Sequence, residues 1–398
     1  MQNRLWPFWS KEVEEKVLNR IRMGDIYATE IDPIIEKFES DFESICCPGK
    51  KVIFCNTGTS GLLAAYFALK LDPGSEVLVP TNTFRATVTP LLTLGLSPVF
   101  CDCDYNTGLI NLDDVERRIT SKTQALVVTH MWGHPVNMER ATALASKYGL
   151  ALVEDCSHAH GAKWNEKHVG TFGDVAVFSL GTKKMISGGI GGAIATSDQQ
   201  IYERATLLCQ PKPWANARIN NETLRKYISS GIGFNLRGSP ISAILAADHL
   251  HRLGNTIKVK NDNFYLLDKL IKKYLPDLKT PQKCEGFTDG TWYSYQCRWE
   301  HPTIERDKAL SLLQEYGLSA DKPSGLLHEQ EVFNQPEKVF HYINFNKNNA
   351  KQEEHKESQR LMNNIIGWDT RDLYEPAEEV LKKYENILRM VAYEIYGA

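Results

Sequence analysis

At 398 residues the chain exceeds one ordinary core and points to two domains, or to one large domain with an appendage. Its 42% hydrophobic and 24% charged residues are those of a soluble globular protein, and a formal net charge of -3 gives no electrostatic case for a nucleic-acid or membrane partner. The apolar runs are too short to cross a bilayer and Met1-Gln-Asn-Arg-Leu-Trp-Pro7 lacks a signal pattern, so the expected location is the cytoplasm.

Residues 9–45 read as helical, with Val13, Val17, Leu18 and Ile21 at helical spacing and a turn at Gly24-Asp-Ile-Tyr27. Lys51–Cys55 is a short strand, and Asn56-Thr-Gly-Thr-Ser60 opens a Leu- and Ala-rich helix over 62–70. Strands then follow at 76–80, 97–101, 125–129, 151–154, 175–178 and 193–196, the earlier ones separated by helices over 86–94, 112–119 and 137–148. Short apolar runs between such helices predict parallel strands buried on both faces, in an α/β domain reaching about residue 255. Beyond it, lysine-rich helical sequence, an aromatic strand over 291–299 and helices over 304–316 and 376–395 predict a smaller α/β domain, 256–398. The polar stretch 346–358 reads as a solvated loop or helix face. Nine cysteines in apolar surroundings predict reduced core thiols. Neither Cys46/Cys47 nor Cys101/Cys103 has zinc spacing, so no metal is expected.

The candidate chemistry lies at the strand ends. The turn Asn56–Ser60 offers free amides, a helix dipole and the hydroxyls of Thr59 and Ser60 to an anion, although an ordinary helix cap explains the same residues. Asp155 follows the strand 151–154 at the edge where ligands of parallel sheets gather, either pairing with a protonated ring nitrogen or acting as a structural acid. His158 offers a flat partner to a heteroaromatic ring; His160 reads as a buried histidine satisfied by a neighbour. Lys183 and Lys184 sit in a loop followed by Ser187-Gly-Gly-Ile-Gly-Gly192, where a lysine can approach a cofactor, lose water and lower its pKa; a solvated surface pair is the alternative. The glycine run leads into a strand, not a helix, and so is no dinucleotide loop.

Taken in order, these blocks resemble the DegT/DnrJ/StrS family of sugar aminotransferases. The resemblance runs from about residue 5 to the end. It rests on Thr57-Gly-Thr-Ser60, Val79-Pro-Thr-Asn-Thr-Phe84, Asp155-Cys-Ser-His-Ala-His-Gly161, Gly170-Thr-Phe-Gly-Asp174, Phe178-Ser179 with Lys184 five residues after the serine, Gly191-Gly192 and Gly233-Phe-Asn-Leu-Arg237. It implies a pyridoxal 5'-phosphate enzyme of fold type I: a large domain, 1–255, with a mostly parallel seven-stranded sheet flanked by helices, plus the smaller domain. It implies that Lys184 forms the Schiff base and that Asp155 pairs with the pyridine nitrogen. It further implies His158 on the ring face, Phe84 on the other face, and Gly58, Thr59, Ser60 and Ser179 around the phosphate. Asn235 resembles the asparagine that reaches the neighbouring subunit's phosphate, which implies a homodimer with shared active sites. Leu180, Ile190 and Gly238-Ser-Pro240 depart from the family pattern and bear on the shape of the substrate pocket.

The implied activity is amino transfer from glutamate or glutamine to a keto-sugar, nucleotide-linked. Tyr27, Arg85, Tyr293 and His328 are candidate pocket residues. Three alternatives stay open: an aminotransferase of a cyclitol or another small phosphorylated ketone, a sugar dehydratase on the same cofactor, and a non-catalytic sensor on the same fold. Such dehydratases typically carry histidine in place of the lysine, so Lys184 argues against the second.

Overall fold

The computed structural model describes residues 5–27, 30–229, 232, 234–284, 286–341 and 355–397. Its centre is a seven-stranded sheet in the order Lys51–Cys55, Gly192–Thr196, Val175–Ser179, Ala151–Asp155, Thr123–Thr129, Glu76–Pro80, Ser97–Cys101. Gly192–Thr196 runs antiparallel to both its neighbours, and the remaining pairings are parallel. Alternate residues of each strand enter different cores. Val77 and Val79 pack with Val127, Val153 and Val177 under the helices Gly58–Ala68 and Gln199–Cys209, whereas Leu78, Leu126 and Leu152 pack with Val115 and Leu144 on the opposite face. A strand apolar at successive positions is thus stable only between two layers of helix.

The predicted large-domain strands all form. The helical stretch 9–45 divides into Lys11–Arg22 and Pro33–Cys46, the second capped by the Asp32 side chain with Pro33 in its first turn. The predicted helix 86–94 is a short 3-10 turn, Arg85–Thr87, and a five-residue helix, Thr89–Thr93. Pro90 sits in that helix's first turn, and Gly95 takes a positive φ just past its end.

The predicted boundary at 255/256 has no linker. A 35-residue helix, Pro240–Tyr274, runs through it, its first half buried against the sheet domain and its second half against the C-terminal core. That core lies between this helix, Arg306–Glu315 and Glu378–Tyr396, over a small antiparallel sheet of Leu278–Lys279, Tyr295–Trp299, Ile365–Trp368 and Ala320–Asp321. The stretch read as solvated, 346–358, lies outside the described residues up to 354. Its last part corrects that reading, because His355 and Ser358 are fully buried. Asp102 explains the burial: it accepts from the Ser358 amide at 2.8 Å and from its hydroxyl at 2.5 Å. All nine cysteines are free, and eight are buried.

Candidate active site

The C-terminal ends of the parallel strands meet in one cavity of about 310 Å³. Its walls carry Gly58 and Thr59 from the helix start after Lys51–Cys55, Phe84 from the loop after Glu76–Pro80, and Thr129, Asp155 and Ser179 from three strand ends. His158, Lys183, Lys184 and Tyr293 complete it.

The strand period of two separates the adjacent acids Glu154 and Asp155. Asp155 faces the cavity. Its Oδ2 accepts from Thr87 Oγ1 at 2.7 Å and its Oδ1 from the Ser157 amide at 3.0 Å. Thr87 is linked through Thr83 to Thr129, with 3.0 Å between successive hydroxyls. Glu154 faces the other way into a dry network. It accepts from the amides of Gly170, Phe172 and Gly173 at 2.7, 2.8 and 2.7 Å, and from His130 Nε2 at 3.2 Å. Burial pushes the Glu154 carboxyl up, but the bonds from His130 and these amides outweigh it and hold the group below the usual carboxylate range. His130, Glu154 and Cys156 are close enough to hold a metal ion. The His130 and Glu154 donor atoms are committed to hydrogen bonds, however, His130 Nδ1 accepting from the Val136 amide at 3.0 Å.

Two lysines line the cavity, Lys183 exposed and Lys184 half-buried. Burial lowers the Lys184 pKa to about 8, with Asp155 opposing the shift. Its Nζ lies 4.1 Å from the centre of the Tyr293 ring and has no ion-pair partner among the described residues. The Tyr293 ring in turn stacks on His158 at 3.8 Å and 8°. Burial, with Lys184 nearby, drives His158 well below its ordinary pKa, so it is neutral, and its Nδ1 accepts from the Trp132 amide at 3.3 Å. His160 is buried as expected, but neither ring nitrogen has a hydrogen-bond partner among the described residues, and the Phe178 ring lies 5.7 Å away.

The phosphate turn is shaped by a close approach. A Cβ on Gly58 would stand 2.8 Å from Ser179 Cβ and 3.2 Å from its Oγ, so only glycine lets this helix start reach Ser179. Thr57 caps the helix, its Oγ1 accepting from the Ser60 amide at 2.9 Å and lying 2.8 Å from Ser60 Oγ. Ser60 is therefore part of the cap and does not line the cavity, where Gly58, Thr59 and Ser179 do.

The other candidates divide. Tyr293 lines the cavity, and Phe84 stands at its rim, half exposed. Arg85 is exposed and packs on Phe84 away from the cavity lining. His328 is not a pocket residue: it is 2% exposed, bonded through Nδ1 to Thr81 Oγ1 at 2.5 Å and stacked on His355. Tyr27 and Asn235 are exposed and meet each other, Asn235 Nδ2 donating to Tyr27 Oη at 3.4 Å, outside this chain's own cavity. Gly233 lies outside the described residues. Sequence reasoning missed the threonine relay behind Asp155, the amides of 170–173 on Glu154, and Trp6, whose indole N–H donates to the Lys184 carbonyl at 2.8 Å. The Gly170–Asp174 block and Val79–Phe84, which holds Thr83, were visible as motifs, and their partners were not.

A model of the DegT/DnrJ/EryC1/StrS aminotransferase family matches residues 10–354. The chain belongs to that family. It is 34% identical over 231 residues to the GDP-perosamine synthase of Escherichia coli O157:H7, an alignment covering 57% of this chain and 60% of that protein. It is 28% identical over 306 residues to the L-glutamine:2-deoxy-scyllo-inosose aminotransferase of Streptomyces kanamyceticus, covering 74% and 70%. The chain thus spans about 60% of the length of the first of these relatives. Among solved structures, an aminotransferase from Psychrobacter cryohalolentis superposes with a TM-score of 0.85 at 22% identity, covering 99% of both chains. At that identity the likeness bears on fold, and it agrees with the fold type I architecture of this family member.

Proposed function

We propose that this protein is a pyridoxal-phosphate-dependent aminotransferase that moves an amino group from glutamate or glutamine to a nucleotide-linked keto-sugar, in amino-sugar biosynthesis. The observation that carries the reading is a half-buried Lys184 sharing one cavity with the Asp155 carboxylate and the helix start at Gly58, where loss of water makes its amine weakly basic.

The donor set fits the cofactor. The helix start at Gly58–Thr59 and the Ser179 hydroxyl suit its phosphate, and the close approach that only glycine permits at residue 58 makes that cradle. Asp155 suits a protonated ring nitrogen, and His158 and Phe84 offer flat faces. Pyridoxal phosphate, when bound, supplies an electron sink for the charge left as a carbon beside nitrogen loses its proton. Lys184 Nζ, with no ion pair among the described residues, takes and returns that proton. Asp155, fixed by Thr87 and the Ser157 amide, holds a proton on the ring nitrogen. His158 is neutral and braced by Tyr293, so it adds a polarisable face without a competing charge.

Asn235 and Tyr27 support a homodimer with shared sites. They stand outside their own cavity, and Ile232 and Phe234, close to Asn235 in sequence, are exposed apolar side chains. No helix among the described residues is long and apolar enough to cross a membrane. We read the cytoplasm as the working compartment, in keeping with nine free thiols. The relatives named for GDP-perosamine favour a nucleotide-linked ketone, and those named for 2-deoxy-scyllo-inosose favour a free cyclitol ketone.

The test is a two-stage assay. Purified protein loaded with pyridoxal phosphate is mixed with glutamate or glutamine, and its visible absorbance is followed. A panel of GDP-, UDP- and dTDP-linked keto-sugars and a cyclitol ketone is then added, and amine products are read by mass. Loss of the visible band with the amino acid and its return with one ketone class is the expected result. A protein that takes up no cofactor, or whose band ignores both amino acids, refutes the reading.

A further inference from the structure

The described residues include one lysine that the proposed chemistry does not use and that water cannot reach. Lys260 lies midway along the helix Pro240–Tyr274, is 0% exposed, and has no carboxylate in ion-pair contact. A methionine would fill its volume without the penalty of burying an amine. Its contacts show what the amine does instead. Lys260 Nζ donates to the Trp292 carbonyl at 2.6 Å and lies 3.6 Å from the centre of the Tyr374 ring. Tyr374 stacks on Trp6 at 4.3 Å and 13°, and the Trp6 indole N–H holds the Lys184 carbonyl at 2.8 Å. On the other branch, Trp292 precedes Tyr293, whose ring touches both Lys184 Nζ and His158. The two branches therefore close a ring of contacts that starts at Lys260 and meets itself where Tyr293 touches Lys184.

We propose that Lys260 is a positioning residue for the cofactor cavity, holding the Tyr293 ring against Lys184 by fixing the Trp292 carbonyl while bracing the Lys184 main chain through Tyr374 and Trp6. The inference rests on the reading of Lys184 given above. The local backbone explains why a donor is needed there. Trp292 adopts φ +48°, a left-handed conformation that a bulky residue holds only when its surroundings impose it. One restraint precedes it: Thr291 Oγ1 donates to the His158 carbonyl at 2.9 Å, and the Thr291 amide donates to the Gly133 carbonyl at 3.2 Å. Gly133 is required for this approach, since its φ is +94° and a Cβ there would stand 2.7 Å from the Trp292 amide. Lys260 restrains the same residue from its carbonyl side. Burial drives the Lys260 amine well below its ordinary pKa, with Asp369 opposing, and a neutral amine still donates to a carbonyl.

The consequence falls on Lys184. Tyr293 covers its amine, and of the titratable groups around that amine Asp155 favours the ammonium, whereas His158 and His160 are held neutral by burial with Lys184 nearby. Releasing the ring admits water, so the amine regains basicity. The experiment uses cofactor-free full-length protein: Lys184 is acylated with acetic anhydride across pH, and its modification is quantified by peptide mass in wild type, Lys260→Met, Tyr293→Ala and the double variant. Wild type is expected to show a midpoint near 8. Each single variant is expected to raise the midpoint by about one pH unit, roughly tenfold less reactive amine at neutral pH, and the double variant to add nothing further. Lys260→Gln keeps a donor for the Trp292 carbonyl and is expected to recover most of the wild-type midpoint; it also serves if Lys260→Met does not fold. Additive shifts in the double variant, or a glutamine variant that shifts as far as the methionine, overturn the proposal. The labelling needs no cofactor, so it is read separately from failure of the Lys184 reading, which would appear as a cofactor band retained in Lys184→Ala.

Discussion

Replacing Glu154 by glutamine tests how the two adjacent acids divide their work. The four donors on Glu154 are fixed in sense: three are backbone amides, and His130 must carry its proton on Nε2 because Nδ1 accepts from Val136. Phe172 and Gly173 share Oε1, and Gly170 and His130 share Oε2. A glutamine oxygen in the Oε1 place keeps the first two. Its amide nitrogen then confronts two donors, so two buried hydrogen bonds to a charged acceptor are lost. At about 1.5–3 kcal/mol each, the loss is about 3–6 kcal/mol. The assay is guanidinium unfolding followed by tryptophan fluorescence. Asp155→Asn is the control. Its partners are one hydroxyl, which can reverse its sense, and one amide, so it is expected to lose less than about 1 kcal/mol while losing transamination. A Glu154→Gln protein within about 1 kcal/mol of wild type, or an Asp155→Asn protein as unstable as Glu154→Gln, refutes the division of roles. The pH dependence has a definite sign. The folded carboxyl lies below its ordinary value of 4.5, so its stabilisation is present above that value and is lost as pH falls through the lower folded one. The glutamine variant lacks that acid limb.

Other consequences follow from the same geometry. Lys184→Ala is expected to abolish the visible cofactor band and transamination while Lys183→Ala keeps the band; the reverse pattern, read in the spectrophotometer, would mean the other lysine is used. Gly58→Ala is expected to force the helix start away from Ser179, costing about 1–3 kcal/mol of stability and weakening cofactor affinity in equilibrium dialysis; unchanged affinity argues against this phosphate cradle. Burial lowers the Lys184 pKa, so cofactor capture by the cofactor-free protein should speed up as pH rises and level off above about 8. A stopped-flow profile still climbing steeply at pH 10 would show an amine of ordinary basicity. Mixing Lys184→Ala with Asn235→Ala subunits is expected to restore some activity to two inactive preparations, because hybrid dimers rebuild one intact shared site. No recovery under conditions of proven subunit exchange refutes sharing through Asn235.

The element pattern was open to sequence reasoning where a single physical signal decided it. Val77–Pro80 and Leu126–Thr129 are apolar at successive positions and bounded by helices, and such a run is stable only as a strand with both faces covered. Asp155 was legible because a strand end in a parallel sheet is where side chains converge and Thr59 because a helix start offers amides to an anion, whereas Ser179 came only from the resemblance. Pocket residues on distant loops were less legible. Tyr293 and His328 were both only candidate pocket residues, with no local pattern to tell them apart. A left-handed turn at Trp292 carries one into the cavity, and Thr81 and His355 bury the other. The shift to lysine-rich sequence at 255/256 marks a change of surroundings along one helix, Pro240–Tyr274, and not a break in the chain's secondary structure.

Sequence alone put an anion turn, an acid, a ring and two lysines near strand ends, with a structural alternative open at each, and the resemblance to a family ordered them and chose Lys184. Only the tertiary structure decided what each group experiences. Lys184 is an ordinary lysine until burial strips its water and Tyr293 covers it. Lys260 shows no motif at all, and its contacts with Trp292 and Tyr374 span 32 residues and 114 residues of chain. Solvation and hydrogen-bond partners depend on which distant segments fold together, and no local pattern encodes that.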